Sequence, residues 1–104
     1  MSDFSNVTVV KQANVYFGGN VNSRTLKFAD GSVKTLGFML NGEYTFNTAD
    51  AEIMEILAGD LEVLLPDNEQ WQVISAGQSF NIPAHAKFTV KVHNPTDYIC
   101  SFLK

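Results

Sequence analysis

Glu43 and Glu52 are carboxylates set among strand-forming aromatic residues, where a carboxylate can grip hydroxyl groups. Arg24, Lys34, Thr45, Thr48 and His85 supply the cationic, N–H or O–H donors that an oxyanion requires. Tyr44, Phe46, Trp71 and Phe80 offer flat aromatic faces, and Asn81 offers an amide edge; such a set suits a planar ring. Each has a plainer reading. Aromatic residues in the strands of a small barrel ordinarily fill its interior. Glu43 follows Asn41-Gly42 and can be a solvated strand end, Glu52 needs a donor partner if it points inward, and Arg24 and Lys34 can be paired surface charges. Trp71 can cap the barrel or a subunit interface, and His93, before Asn94-Pro95, reads as an exposed loop residue. Cys100 falls in an alternating run at 98–102 and reads as a small buried hydrophobe rather than a nucleophile.

The elements that must position these residues are strands. Short runs rich in β-branched and aromatic residues alternate with turn signals, and no window of a dozen residues keeps a 3.6-residue apolar period. Asp30-Gly31 and Asn41-Gly42 are hairpin signals, expected to bracket a strand at 32–40 and pair it on both sides. Ala58-Gly59-Asp60 is expected to turn 53–57 into 61–65, and Ser75-Ala76-Gly77 to separate 71–74 from 79–82. Pro83 and Pro95 are expected to bound a strand at 88–93. About nine or ten strands result, in an all-β chain that suits a closed barrel or sandwich. Residues 1–104 read as one domain, with 1–14 an arm or edge strand.

Composition narrows the classes. The chain has 104 residues, 45% of them hydrophobic and 17% charged, which fits one globular core rather than a disordered polymer. A net charge of −4, with Lys and Arg scattered, argues against a nucleic-acid partner. The lone cysteine cannot form an internal disulfide, no apolar run approaches the roughly 20 residues of a membrane helix, and Met1-Ser-Asp-Phe lacks signal-peptide character. The cytoplasm is the expected location.

From Gly42 to Phe88 the chain resembles a cupin, a jelly-roll β-barrel, whose metal ligands are absent. Glu52 and Gly59 keep the spacing of the first cupin block, which puts Phe46 and Thr48 where its two histidines stand. Gly77 and Pro83 keep that of the second, which puts His85 at a turn glycine and Phe88 at the metal histidine. Three of the four positions cannot supply the N, S or carboxylate donors of a transition metal.

The resemblance narrows further. Gly-Glu-Tyr-Thr-Phe at 42–46, Ala-Gly-Asp-Leu-Glu-Val-Leu-Leu-Pro at 58–66, Trp71-Gln72 and Phe-Asn-Ile-Pro at 80–83 are similar to the small cupins called pyrimidine/purine nucleoside phosphorylases. Asn41 and His85 depart from that pattern. The resemblance implies phosphorolysis of a nucleoside to ribose 1-phosphate and free base, with broad base tolerance, no cofactor and no metal. The residues themselves, read beside it, point to a site at the barrel mouth with Glu43 and His85 as catalytic candidates. Arg24, Lys34 and Thr45 would serve phosphate, Glu52 the ribose, and Tyr44, Phe46, Trp71 and Asn81 the base. Two other classes stay open: a non-catalytic nucleoside- or sugar-binding cupin, and a metal-dependent cupin enzyme. A homodimer using the apolar 3–16 segment is expected.

Overall fold

Two long antiparallel strands carry the molecule. In a computed structural model describing residues 3–103, β6 (Ala51–Leu64) and β9 (Lys87–Leu103) pair along nearly their whole length. Each is flanked by a broken partner. β4 (Val33–Met39) and β5 (Gly42–Asn47) run end to end along β9, while β7 (Gln72–Ser75) and β8 (Ser79–Ile82) run end to end along β6. β3 (Val21–Lys27) extends the sheet beyond β4, and β1 (Thr8–Val9) and β2 (Asn14–Tyr16) edge β3. A single 3₁₀ turn, Phe17–Gly19, joins β2 to β3.

This arrangement corrects three expectations. Ala58-Gly59-Asp60 is no hairpin: β6 runs straight through it, with register shifts against β9 between Ile56 and Leu61. Gly59 has φ +87°, and a Cβ there would lie 2.4 Å from the Pro95 carbonyl oxygen, so the glycine permits a bulge where the two long strands cross closely. Pro95 is likewise no boundary, because it sits within β9 at that bulge, where a missing N–H breaks no regular ladder. Asn41-Gly42 pairs nothing across itself. It redirects the chain from one end of β9 to the other, and Asn41 Nδ2 ties the corner to the His93 carbonyl at 2.9 Å. The hairpin at Asp30-Gly31 does form: Gly31 N–H bonds the Phe28 carbonyl at 3.0 Å, and Asp30 Oδ1 accepts from Ser32 N–H at 2.9 Å.

The bend at the β6/β9 bulges folds one sheet into two facing halves. One half holds β3, β4, the end of β9, the start of β6 and β8; the other holds β5, the start of β9, the end of β6 and β7. The hydrogen-bonded path runs β1-β3-β4-β9-β6-β7 and does not return, so the jelly roll is open rather than a closed barrel. Val21, Met39, Ile56, Leu61, Val63, Ile82 and Val90 fill the space between the halves with almost no exposure, each contributing roughly 1.5–3 kcal/mol. Beside this apolar plug the interior opens.

Candidate active site

Register across the first half lays down the floor of the opening. Ser23, Gly37, Tyr98 and Ile56 form one cross-strand row, and Thr25, Thr35, Cys100 and Met54 the next. Ser23, Thr35, Tyr98 and Cys100 are all buried, so the floor is a belt of neutral hydroxyl and thiol groups. Asn14, from the edge strand, donates to Ser23 Oγ at 3.2 Å and Thr25 Oγ1 at 3.0 Å. Gly37 is the gap that admits Tyr98: a Cβ there would stand 2.2 Å from the phenol ring. Burial pushes the Tyr98 phenol and the Cys100 thiol well up, so both keep their protons.

Glu52, in register with Phe102 and diagonal to Cys100, completes the belt. Cys100 Sγ donates to Glu52 Oε1 at 3.3 Å. Burial raises the carboxyl's affinity for its proton and nearby Asp50 adds to this, while the thiol hydrogen bond opposes both. The facing wall is aromatic. Phe46 stacks on Phe88 with ring centroids 5.4 Å apart, and Phe17 meets Phe46 edge-on at 5.4 Å. Between belt and wall lies a cavity of about 170 Å³. A second hollow of about 300 Å³ lies next to it and shares Tyr16, Thr35 and Phe102 in its lining. Asn14, Thr25 and Asp50 line that second hollow. The second reaches the lower end of the small-ligand range, roughly 300–1,000 Å³, and the first lies below it.

Of the residues singled out from sequence, Phe46 and Glu52 come together in this cavity. Tyr44 is buried behind Phe17, its hydroxyl donating to the Leu40 carbonyl at 2.8 Å. Strand alternation turns five others to the outer faces. Glu43 lies in register with Lys91, Thr45 is hydrogen-bonded to Thr89 at 2.9 Å, and Asn81 is exposed on β8. Arg24 donates to the Lys11 carbonyl, and Lys34 Nζ to Ser101 Oγ at 3.0 Å. Trp71 packs under Lys91 Nζ, 4.1 Å from its ring centroid, away from the cleft. His85 is exposed between β8 and β9 with φ +52°, the left-handed backbone expected of a motif glycine. His93 is exposed, though in β9 rather than a loop, and pairs with Glu62 at 2.7 Å. Sequence reasoning passed over Ser23, Thr35 and Tyr98, and treated Cys100 as buried filler; it is buried, and it also holds Glu52. Their signal was small polar residues at inward positions of otherwise apolar strands.

The cupin metal positions hold other contacts. Phe46 and Phe88 stack on each other. Thr48 Oγ1 donates to the Pro83 carbonyl at 2.7 Å and accepts from Ala86 N–H at 3.0 Å, latching two loops together. Among the described residues no three His, Cys, Asp or Glu side chains converge.

The open jelly roll and its central cleft define a cupin-type β-protein, and a solved RmlC-like cupin from Shewanella frigidimarina shares the fold, with TM-score 0.70 at 18% identity, covering 97% of this chain and 86% of that one. A solved Acinetobacter sp. ADP1 protein of unknown function is closer, with TM-score 0.94 and 40% identity over 97% of this chain and 98% of its own. The family model "Pyrimidine/purine nucleoside phosphorylase" matches residues 11–102. A Hydrogenovibrio crunogenus protein named pyrimidine/purine nucleoside phosphorylase is 61% identical over 103 residues, 99% of each chain. The chain belongs to the pyrimidine/purine nucleoside phosphorylase family.

Proposed function

We propose that this protein is a nucleoside phosphorylase converting a nucleoside and orthophosphate into ribose 1-phosphate and the free purine or pyrimidine base. Family membership supports the reaction, and one structural observation supports the site: a half-buried carboxylate, Glu52, set in a belt of neutral hydroxyl donors and faced by an aromatic wall. The aromatic wall suits any planar base, because stacking reads a flat face and not a pattern of donors. That is the physical basis for accepting purines and pyrimidines alike. The belt suits ribose hydroxyls, and Asn14, Ser23, Thr25 and Thr35 are donors for phosphate.

The same proposal includes catalysis without a metal, a cytoplasmic location consistent with the unpaired Cys100, and a homodimer. Among the described residues no helix is long and apolar enough to cross a membrane.

Incubation with uridine, adenosine and guanosine, with and without phosphate, is expected to release free base only when phosphate is present, and equally after chelator treatment. Loss of turnover with EDTA, restored by one added metal, would select the metal-dependent class. A second reading draws on one observation: among the described residues the cleft lining contains no Lys, Arg or His. A nucleoside-binding module needs none, and nucleoside binding without phosphate-dependent product would select it.

A further inference from the structure

We infer that Glu52 is the general acid of the reaction, delivering a proton from its carboxyl group to the base as the base leaves C1′. This rests on the phosphorolysis reading above. A nucleobase expelled as an anion is a poor leaving group, and the cleft must neutralise it. Candidates on the lining are few. Serine, threonine and asparagine side chains do not titrate, and burial holds the protons of Tyr98 and Cys100 tightly. Glu52 differs from them in being a carboxyl that partial burial keeps protonated to higher pH than usual.

Its surroundings fix where the proton sits. Cys100 Sγ–H occupies Oε1 as a donor at 3.3 Å, which leaves Oε2 to carry the acidic hydrogen. Among the described residues the other titratable groups around the cleft are Asp50, Tyr16, Tyr98 and Cys100; Asp50 favours the protonated carboxyl, the Cys100 hydrogen bond opposes it, and none of them carries a positive charge. Phe46 and Glu52 line the same cavity, so a planar base laid against Phe46 occupies the space that Glu52 also lines.

The step balances. An oxygen of HPO₄²⁻ forms the C1′–O bond, the C1′–N electron pair passes to the base, and the Glu52 proton follows it onto a base nitrogen or oxygen. The proton lost from the phosphate restores the carboxyl, giving neutral base and ribose 1-phosphate dianion.

The test compares guanosine with N7-methylguanosine, whose cationic base departs neutral and needs no proton. Glu52→Gln keeps an acceptor for Cys100 and removes the acid. Its kcat on guanosine is expected to fall by roughly 100- to 1,000-fold, with N7-methylguanosine retained to within about fivefold. Equal losses on both substrates, or no loss on guanosine, would overturn the assignment. Should circular dichroism show Glu52→Gln unfolded, Cys100→Ala decides instead. Removing the thiol hydrogen bond raises the Glu52 pKa, so the alkaline limb of the kcat profile for guanosine moves to higher pH, and an unmoved or lowered limb rejects Glu52 as its source. A wild-type protein that releases no base from any nucleoside would remove the phosphorylase reading and the acid assignment with it, an outcome distinct from turnover insensitive to Glu52.

Discussion

At Glu52 the chemistry proposed above comes with a cost in stability. Its carboxyl holds a proton more tightly in the folded chain than at the ordinary 4.5, chiefly because burial penalises the charge. The sign follows from linkage. Below the unfolded pKa both states are protonated and the full stabilising contribution of the neutral carboxyl is present; as pH rises through the folded pKa that contribution is lost. Glu52→Gln is therefore expected to raise Tm relative to wild type at pH 7–8, with the gain shrinking as pH falls toward 4 and below. Differential scanning calorimetry across that range checks it, and a gain that grows on acidification would contradict the account. Cys100 is the opposite case at the same contact: buried, protonated and committed as a donor, it supplies orientation rather than a nucleophile.

Among the elements, the bulged crossing of β6 and β9 has the most consequence, since it turns one sheet into two facing halves and so creates the cleft. Gly59 is its tightest point. Alanine there meets the Pro95 carbonyl oxygen at 2.4 Å and Thr96 Oγ1 at 2.7 Å and must also hold φ +87°. Gly59→Ala is expected to cost about 2 kcal/mol or more and to lower Tm by roughly 10 °C, measurable by thermal denaturation. The same crossing explains what could be read from sequence. Strand content, the Asp30-Gly31 hairpin and the Ser75–Gly77 break were legible because alternation and turn chemistry are local. Ala58-Gly59-Asp60, Asn41-Gly42 and Pro95 carry the same local signals, yet become a bulge, a corner and a mid-strand kink. Only the long pairing of β6 with β9 decides between those outcomes. The site was partly legible for the same reason. Alternation placed Tyr44 and Phe46 on one face, but the same rule turns Glu43 and Thr45 outward. Ser23, Thr35, Tyr98 and Cys100 meet only through a four-strand register that no single segment contains.

On the scale of the whole molecule, we propose that the homodimer forms through the outer face of the first half. Arg24, Leu36, Ile99 and Glu55 form one row across β3, β4, β9 and β6: a cation at one end, two apolar residues, and an anion at the other. Leu36, Phe38 and Leu57 remain 37–50% exposed on the chain alone. A second copy related by a two-fold axis lying in the contact plane and perpendicular to the row runs its row in the opposite sense, so that Arg24 of each copy approaches Glu55 of the other across the shared apolar centre. Within the chain, β1 and β2 are edge strands on β3, and Phe4 packs edge-on against Phe28 at 5.3 Å. We place the homodimer contact proposed above on the sheet face. Light scattering at low micromolar concentration is expected to give twice the 11.5 kDa chain mass. Leu36→Glu places a charge at the centre of the row and is expected to yield monomer. Arg24→Glu sets like charges against each other at both ends and is expected to weaken association, with Arg24→Glu/Glu55→Arg restoring it because the row keeps its opposite ends. A wild-type monomer, or a dimer indifferent to Leu36→Glu, would move the contact elsewhere on the surface.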